Sequence, residues 1–70
     1  MQDIFALPIE ELQDLFVAAG LKKFRAKQVF QWLYQKSVFD FTAMHNLSKA
    51  DIAVLQEKFT VLPHLSLIHL

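Results

Sequence analysis

The residues best equipped for chemistry share one stretch, KKFRAKQVFQWLYQK, at residues 22–36. It holds five of the seven basic residues of the chain and no acidic one. Lys22, Lys23, Arg25 and Lys27 span a loop and the first turn of a helix, where cationic side chains and free backbone amides can hold phosphate oxygens. Arg25 is the strongest candidate, because its planar fork suits bidentate phosphate recognition. Gln31 and Tyr34 can add contacts to the same polyanion. The lysines sit at the unfavourable end of the helix dipole, a small cost that hints at use. A solvated face is the plain alternative. Trp32 and Tyr34 can stack on unpaired bases. Equally they can cover the edges of a small core, Trp32 lying under the stems of Arg25 and Lys36.

Other reactive side chains form no such set. His64 and His69 are five residues apart, so in an extended segment they point to opposite faces, and no ligand-spaced carboxylate or Cys accompanies them. His45, Ser48 and Asp51 fit helix-entry chemistry better than a nucleophilic triad. Glu10 and Glu11 are adjacent on a helix and diverge, so they cannot flank one substrate as acid and base. No catalytic constellation is present.

The elements that must position the basic stretch are helical. A first helix is expected from Pro8, with Glu10 and Glu11 near its positive end. Ile9, Leu12, Phe16 and Ala19 give it an apolar face, and Gly20 supplies a left-handed stop. A second helix is expected from Phe24 or Arg25 to Lys36. At 100° per residue, Ala26, Val29, Phe30 and Leu33 form its inward arc. Arg25, Trp32 and Lys36 fall on one flank, and Lys27, Gln31 and Tyr34 on the other. Asp40 is suited to cap a short turn running to Met44, with Phe39 and Phe41 as core plugs. Ser48 followed by Asp51 reads as a capping box for a third helix, Lys49 to Phe59, with Ile52, Leu55 and Phe59 inward. The remaining TVLPHLSLIHL reads as an extended tail with no partner strand in the chain, the pairing strands being expected in sequence that is missing.

Composition bounds the reading further. Seventy residues, 54% hydrophobic with a single Gly, suit one small packed domain. A chain of this size buries roughly 60% of its unfolded surface, which leaves thin margins. The absence of Cys removes disulfides, thiolate metal sites and cysteine nucleophiles from these residues. No secretory signal or membrane-length apolar run is visible, so a soluble cytoplasmic chain is expected. The formal net charge is zero, yet residues 22–36 sum to +5 and the rest to −5. The distribution, not the total, favours a local basic face.

Two motifs in order, FRAKQVFQWLY at Phe24–Tyr34 and DFTAMHNLSK at Asp40–Lys49, resemble the pattern of a known family. They are similar to F-R-A-x-Q-[IV]-x-x-W-[LIV]-Y and D-[FW]-x-x-M-[ST]-N-[LI]-[SP]-K of the N-terminal accessory domain in the RlmN/Cfr family of radical S-adenosylmethionine methyltransferases of ribosomal RNA. The resemblance runs from Leu7 to Leu62, and His45 stands where the family has Ser or Thr. WLYQK with NLSK looks more like the RlmN type. The hairpin AAGLKKFRAKQ also resembles a helix-hairpin-helix turn in outline, with one glycine where that motif has two. That disfavours a DNA-binding hairpin.

The resemblance implies a parent enzyme that, if of the RlmN type, methylates C2 of an adenine in large-subunit rRNA and in tRNA, the Cfr type acting at C8 instead. It implies a 4Fe-4S cluster and S-adenosylmethionine in a catalytic α/β barrel beyond residue 70, and no cofactor in this fragment. The expectation is therefore an all-α domain of three helices and a short turn, with an extended C-terminal tail. Residues 1–59 would form the accessory domain and residues 60–70 the linker toward the barrel. The chain itself would be a non-catalytic monomer that docks rRNA and tRNA through Lys22, Lys23, Arg25, Lys27, Gln31 and Tyr34. An intramolecular packing module, its basic flank paired with acids of the barrel, is the competing expectation.

Overall fold

Pro8 has no N–H to donate, which suits a helix entry, and it stands as the N-cap of α1 (Ile9–Ala18) with extended backbone, φ −62° and ψ 154°. The helix thus starts one residue later than the sequence suggested, with Glu10 and Glu11 in its first turn. The computed structural model describes residues 1–62, so His64, His69 and most of the expected linker lie outside the described residues. Leu12 and Phe16 are fully buried, whereas Ile9 and Ala19 are only half-buried. Gly20, at φ +87°, closes α1. The Leu21 N–H donates to Phe16 O at 2.9 Å and the Gly20 N–H to Val17 O at 3.0 Å, a paired C-terminal cap. Leu21 then turns inward and is buried.

That reversal lays α2 (Lys23–Tyr34) against α1. Ala26, Val29 and Leu33 are buried as the inward arc requires, and Phe30 is half-buried at its margin. The helix stops at Tyr34, two residues before the expected Lys36, and Ser37 follows at φ +55°. A 3₁₀ turn, Phe41–Ala43, comes next with Asp40 as its cap. Phe41 plugs the core as expected, but Phe39 does not: it is 41% exposed and sets its edge against the Phe5 ring, 6.1 Å away. α3 (Lys49–Lys58) begins at Ser48, whose Oγ accepts from the Asp51 N–H at 3.1 Å. Leu55 and Phe59 are buried and Ile52 is half-buried.

The fold is largely helical, with one addition that corrects the unpaired tail. β1 (Gln2–Asp3) pairs in parallel with β2 (Phe59–Thr60), in the register Gln2↔Phe59 and Asp3↔Thr60. The Ile4 N–H extends the ladder to Thr60 O at 2.9 Å, and Ile4 is fully buried. Asp3 Oδ1 accepts from Phe5 N and from Leu62 N, at 3.0 and 3.2 Å. Parallel strands need a long crossover, and here the helical body supplies it. Two residues give no alternation to read, which is why the partner of β2 escapes a sequence reading. Fully buried Ile4, Leu12, Phe16, Val29, Leu33, Met44 and Leu55 draw the N-terminal segment, all three helices and the end of the 3₁₀ turn into one core.

The Asp40 cap carries a pH signature. The Thr42 hydroxyl donates to its Oδ1 at 2.7 Å and the Thr42 N–H at 3.0 Å, and these two bonds, in that order, hold its carboxyl below the usual carboxylate range. A folded-state value below the unfolded one means the cap stabilises the turn above the ordinary Asp range and is lost as pH falls through the lowered value. An NMR titration should therefore place the Asp40 carboxyl midpoint, tracked at the Thr42 amide, below that of an unstructured Asp. A midpoint at or above that value would mean the turn is not held by this side chain in solution.

Candidate nucleic-acid interface

Helical geometry sorts the basic stretch into three faces before any contact is considered. With Ala26, Val29 and Leu33 inward, steps of 100° put Phe24, Lys27 and Gln31 outward, with Lys23 beside Lys27. Arg25 and Trp32 take one flank and Phe30 and Tyr34 the other. Exposure agrees: Lys22, Lys23, Phe24, Lys27 and Gln31 are exposed, and Arg25 and Trp32 are half-buried.

The two flanks are occupied by the rest of the fold. Arg25 Nε lies 2.8 Å from Asp51 Oδ2 on α3, with both side chains under one-quarter exposed. The carboxylate lies off the Nε–H direction, so this contact acts as an ion pair more than as a directed hydrogen bond. The other guanidinium edge is better directed, Nη1 donating to Gln28 Oε1 at 2.8 Å and to Asn46 O at 3.1 Å. Trp32 Nε1 donates to Asn46 Oδ1 at 2.7 Å, with Lys36 Nζ 4.8 Å from a Trp32 ring centroid. His45 meets the same indole edge-on, 5.9 Å between centroids. These contacts tie α2 to the segment entering α3. On the opposite flank the Tyr34 hydroxyl accepts from the Ala6 N–H at 2.6 Å, and its ring packs on Phe30 and Phe5, 4.6 and 5.7 Å between centroids. Ala6 itself is at φ +69°, so Tyr34 holds a strained turn of the N-terminal segment in place.

The six residues expected to meet RNA therefore separate. Lys22, Lys23, Lys27 and Gln31 stand together at the solvent side of α2, and among the described residues none of the three lysines forms an ion pair. Arg25 and Tyr34 are engaged within the fold by Asp51, Gln28 and Asn46 in one case and by Ala6 in the other. Phe24 was absent from the expected set and belongs on the outward stripe. Its position opposite the Ala26–Leu33 arc is readable from the helical period alone. No side-chain cap and no acidic residue attend the first turn of α2, so its positive end is left to the lysines.

Known proteins show the same architecture. Residues 2–61 match the family model described as "Ribosomal RNA large subunit methyltransferase N-terminal domain". The chain belongs to this family. Its relatives include a probable dual-specificity RNA methyltransferase RlmN from Spiroplasma citri, 48% identical over 63 residues, which cover 90% of this chain and 18% of the relative. A second, of the same description, from Staphylococcus carnosus, is 52% identical over 60 residues, covering 86% and 16%. The crystal structure of a radical SAM methyltransferase from Sphaerobacter thermophilus superposes with a TM-score of 0.80 at 30% identity, over 90% of this chain and 18% of the other. The chain thus spans under one-fifth of the length of the proteins it matches.

This RlmN-type N-terminal domain has no Cys, and among the described residues no three His, Cys, Asp or Glu side chains gather where a metal ion could sit. These residues do not fit an iron–sulfur cluster, so no step through such a cluster is assigned to them. Among the described residues no helix is long and apolar enough to cross a membrane.

Proposed function

We propose that this chain is the RNA-docking accessory domain of a radical S-adenosylmethionine methyltransferase whose acceptor is C2 of an adenine in large-subunit rRNA and in tRNA. The observation that carries the reading is the grouping of exposed Lys22, Lys23 and Lys27, which form no ion pair among the described residues, beside outward Gln31 on a helix whose other faces are committed to the fold. Three exposed cations on one side of a helix entrance suit a polyanion. The family description names large-subunit ribosomal RNA, and the relatives are called dual-specificity RNA methyltransferases, which supports two RNA substrates. S-adenosylmethionine and a 4Fe-4S cluster belong in this reading to a catalytic barrel carried elsewhere in a longer, monomeric cytoplasmic protein.

Arg25 enters this function as a brace. Its guanidinium is spent on α3 and Asn46, and it fixes the pitch of the helix that displays the lysines. Tyr34 fixes the other flank in the same way.

The test is an amide chemical-shift titration of the chain with a tRNA anticodon stem-loop at low and moderate salt. Shifts should cluster at residues 22–31. If three phosphates are contacted, affinity should fall roughly twenty- to forty-fold over an approximately fourfold rise in salt. Replacing Lys22, Lys23 and Lys27 together by Ala should preserve the spectrum of the fold and remove most of that salt dependence. An absence of shifts at low salt would overturn the reading.

That outcome would favour the packing module, which has an observation of its own. Met1, Phe39, Phe41, Phe59 and Val61 line a shallow hollow of about 280 Å³ beside β2, with Met1 83% and Phe39 41% exposed. Such a surface suits contact with another part of a longer protein.

A further inference from the structure

Phe24 is the most exposed of the seven phenylalanines. Of the seven phenylalanines, Phe16, Phe41 and Phe59 are buried, and Phe5, Phe30 and Phe39 lean on other rings. Phe24 is 50% exposed and, among the described residues, packs against no other aromatic ring. An exposed Phe is ordinary by itself. Its surroundings are not apolar, however: Arg25 Cζ is 4.9 Å and Lys22 Nζ 5.9 Å from its centroid. Lys27 follows one turn along the same outward stripe, and Gln31 one turn further.

We propose that Phe24 is a base-stacking platform, taking the face of one unpaired nucleobase from an RNA loop while Lys23 and Lys27 hold the adjoining phosphates. This rests on the RNA-docking reading and names what its docking site recognises: a splayed-out base, where lysines alone would accept any phosphate backbone. Every base has a π-face, so an aromatic platform is tolerant of base identity and selective for single strands over duplex. The neighbouring cations strengthen the arrangement, because they sit against the ring and attract the phosphates flanking the stacked base. Arg25 adds rigidity. Held by Asp51, Gln28 and Asn46, it backs the Phe24 ring from a fixed position, so little side-chain freedom is lost on binding. The occupant is a nucleotide because Lys22, Lys23 and Lys27 stand exposed on the same turns as the ring and, among the described residues, form no ion pair, while the one carboxylate nearby, Asp51, is paired with Arg25. An acidic protein surface would use the lysines but would gain little from a half-exposed ring among them.

The experiment compares this chain with Phe24→Leu, which keeps apolar bulk and removes the π-face, on two RNA hairpins. One carries an unpaired adenine in its loop, and the other is abasic at that position. Phe24→Leu should lose roughly five- to one-hundred-fold in affinity for the first hairpin and show little change on the second. Its salt slope should match that of the parent, since no phosphate contact is removed, and Phe24→Trp should restore binding. A 2-aminopurine at the loop position should be quenched by the parent chain and not by Phe24→Leu. An amide spectrum unchanged outside the α2 entrance excludes misfolding as the cause. If the parent binds the hairpin but Phe24→Leu binds it equally well, the platform is overturned while RNA docking stands; that result would hand Phe24 to a protein contact. If the parent binds neither hairpin at low salt, both readings fall together.

Discussion

Phe16→Ala should leave the domain largely unfolded at room temperature. The Phe16 ring is fully buried and lies 5.4 Å from the Phe59 ring at 25° between planes, so it joins α1 to the start of β2. Truncating a buried Phe costs about 3–5 kcal/mol, through lost transfer energy and the cavity left behind. A chain of this length has roughly 3–10 kcal/mol of total stability. The loss is therefore of the same order as the whole. Far-UV circular dichroism through a urea titration would show it as a midpoint shifted close to zero denaturant. Phe39→Ala, a half-exposed edge contact, should cost about 1 kcal/mol or less and shift the same midpoint correspondingly little. Similar shifts for the two would mean that the seam between α1 and β2 closes over the hole.

Arg25→Ala should be the costliest change on the surface of α2, at about 2 kcal/mol. An exposed ion pair contributes about 0–1 kcal/mol and breaking a fully buried one costs about 3–5. The Arg25–Asp51 pair sits between, with side chains 21% and 24% exposed, and the bonds to Asn46 O and Gln28 are lost with it. Arg25→Lys should recover little, because an ammonium cannot reach Asp51 and the Asn46 carbonyl from one planar fork. A cycle with Asp51→Ala should return a coupling of about 1 kcal/mol. The same variant separates brace from ligand. If Arg25 only positions the helix, its loss weakens RNA binding while the salt slope stays near that of the parent. A slope reduced by about one unit would make Arg25 a phosphate contact after all.

Features that depend on neighbours in sequence were legible before the structure. The inward arc Ala26–Val29–Leu33, the Ser48 and Asp40 caps and the left-handed stop at Gly20 all follow from the helical period, a side-chain oxygen two or three residues from an amide, and the conformational freedom of one residue. The motifs FRAKQVFQWLY and DFTAMHNLSK carried the family, and residues 2–61 match it. The placement of the candidate residues was legible in part. Lys22, Lys23, Lys27 and Gln31 were placed by composition and period, but the engagement of Arg25 and Tyr34 was not, because their partners are remote. The Tyr34 hydroxyl meets an amide 28 residues away, and Arg25 reaches a carboxylate on another helix. Phe39 was misjudged for a related reason. Two phenylalanines flanking Asp40 look equivalent as types, and only the direction of the chain into the 3₁₀ turn sends Phe41 inward and Phe39 toward Phe5.

By itself the sequence determined that this protein is largely helical, where its helices lie to within a residue or two, which arc of each is apolar, and that its positive charge is concentrated on one of them. Those properties arise from interactions within a turn or two of helix, which the order of residues encodes directly. Only the tertiary structure decided which of these side chains are engaged within the fold. Asp51 and Asn46 claim Arg25, Ala6 claims Tyr34, and Asp3 joins the two ends of the domain through Leu62, 59 residues away. Each is a contact between segments that chain connectivity leaves far apart and core burial brings together. The surface left over, Phe24, Lys27 and Gln31 with Lys22 and Lys23, is the side of α2 and its entrance that stays exposed among the described residues.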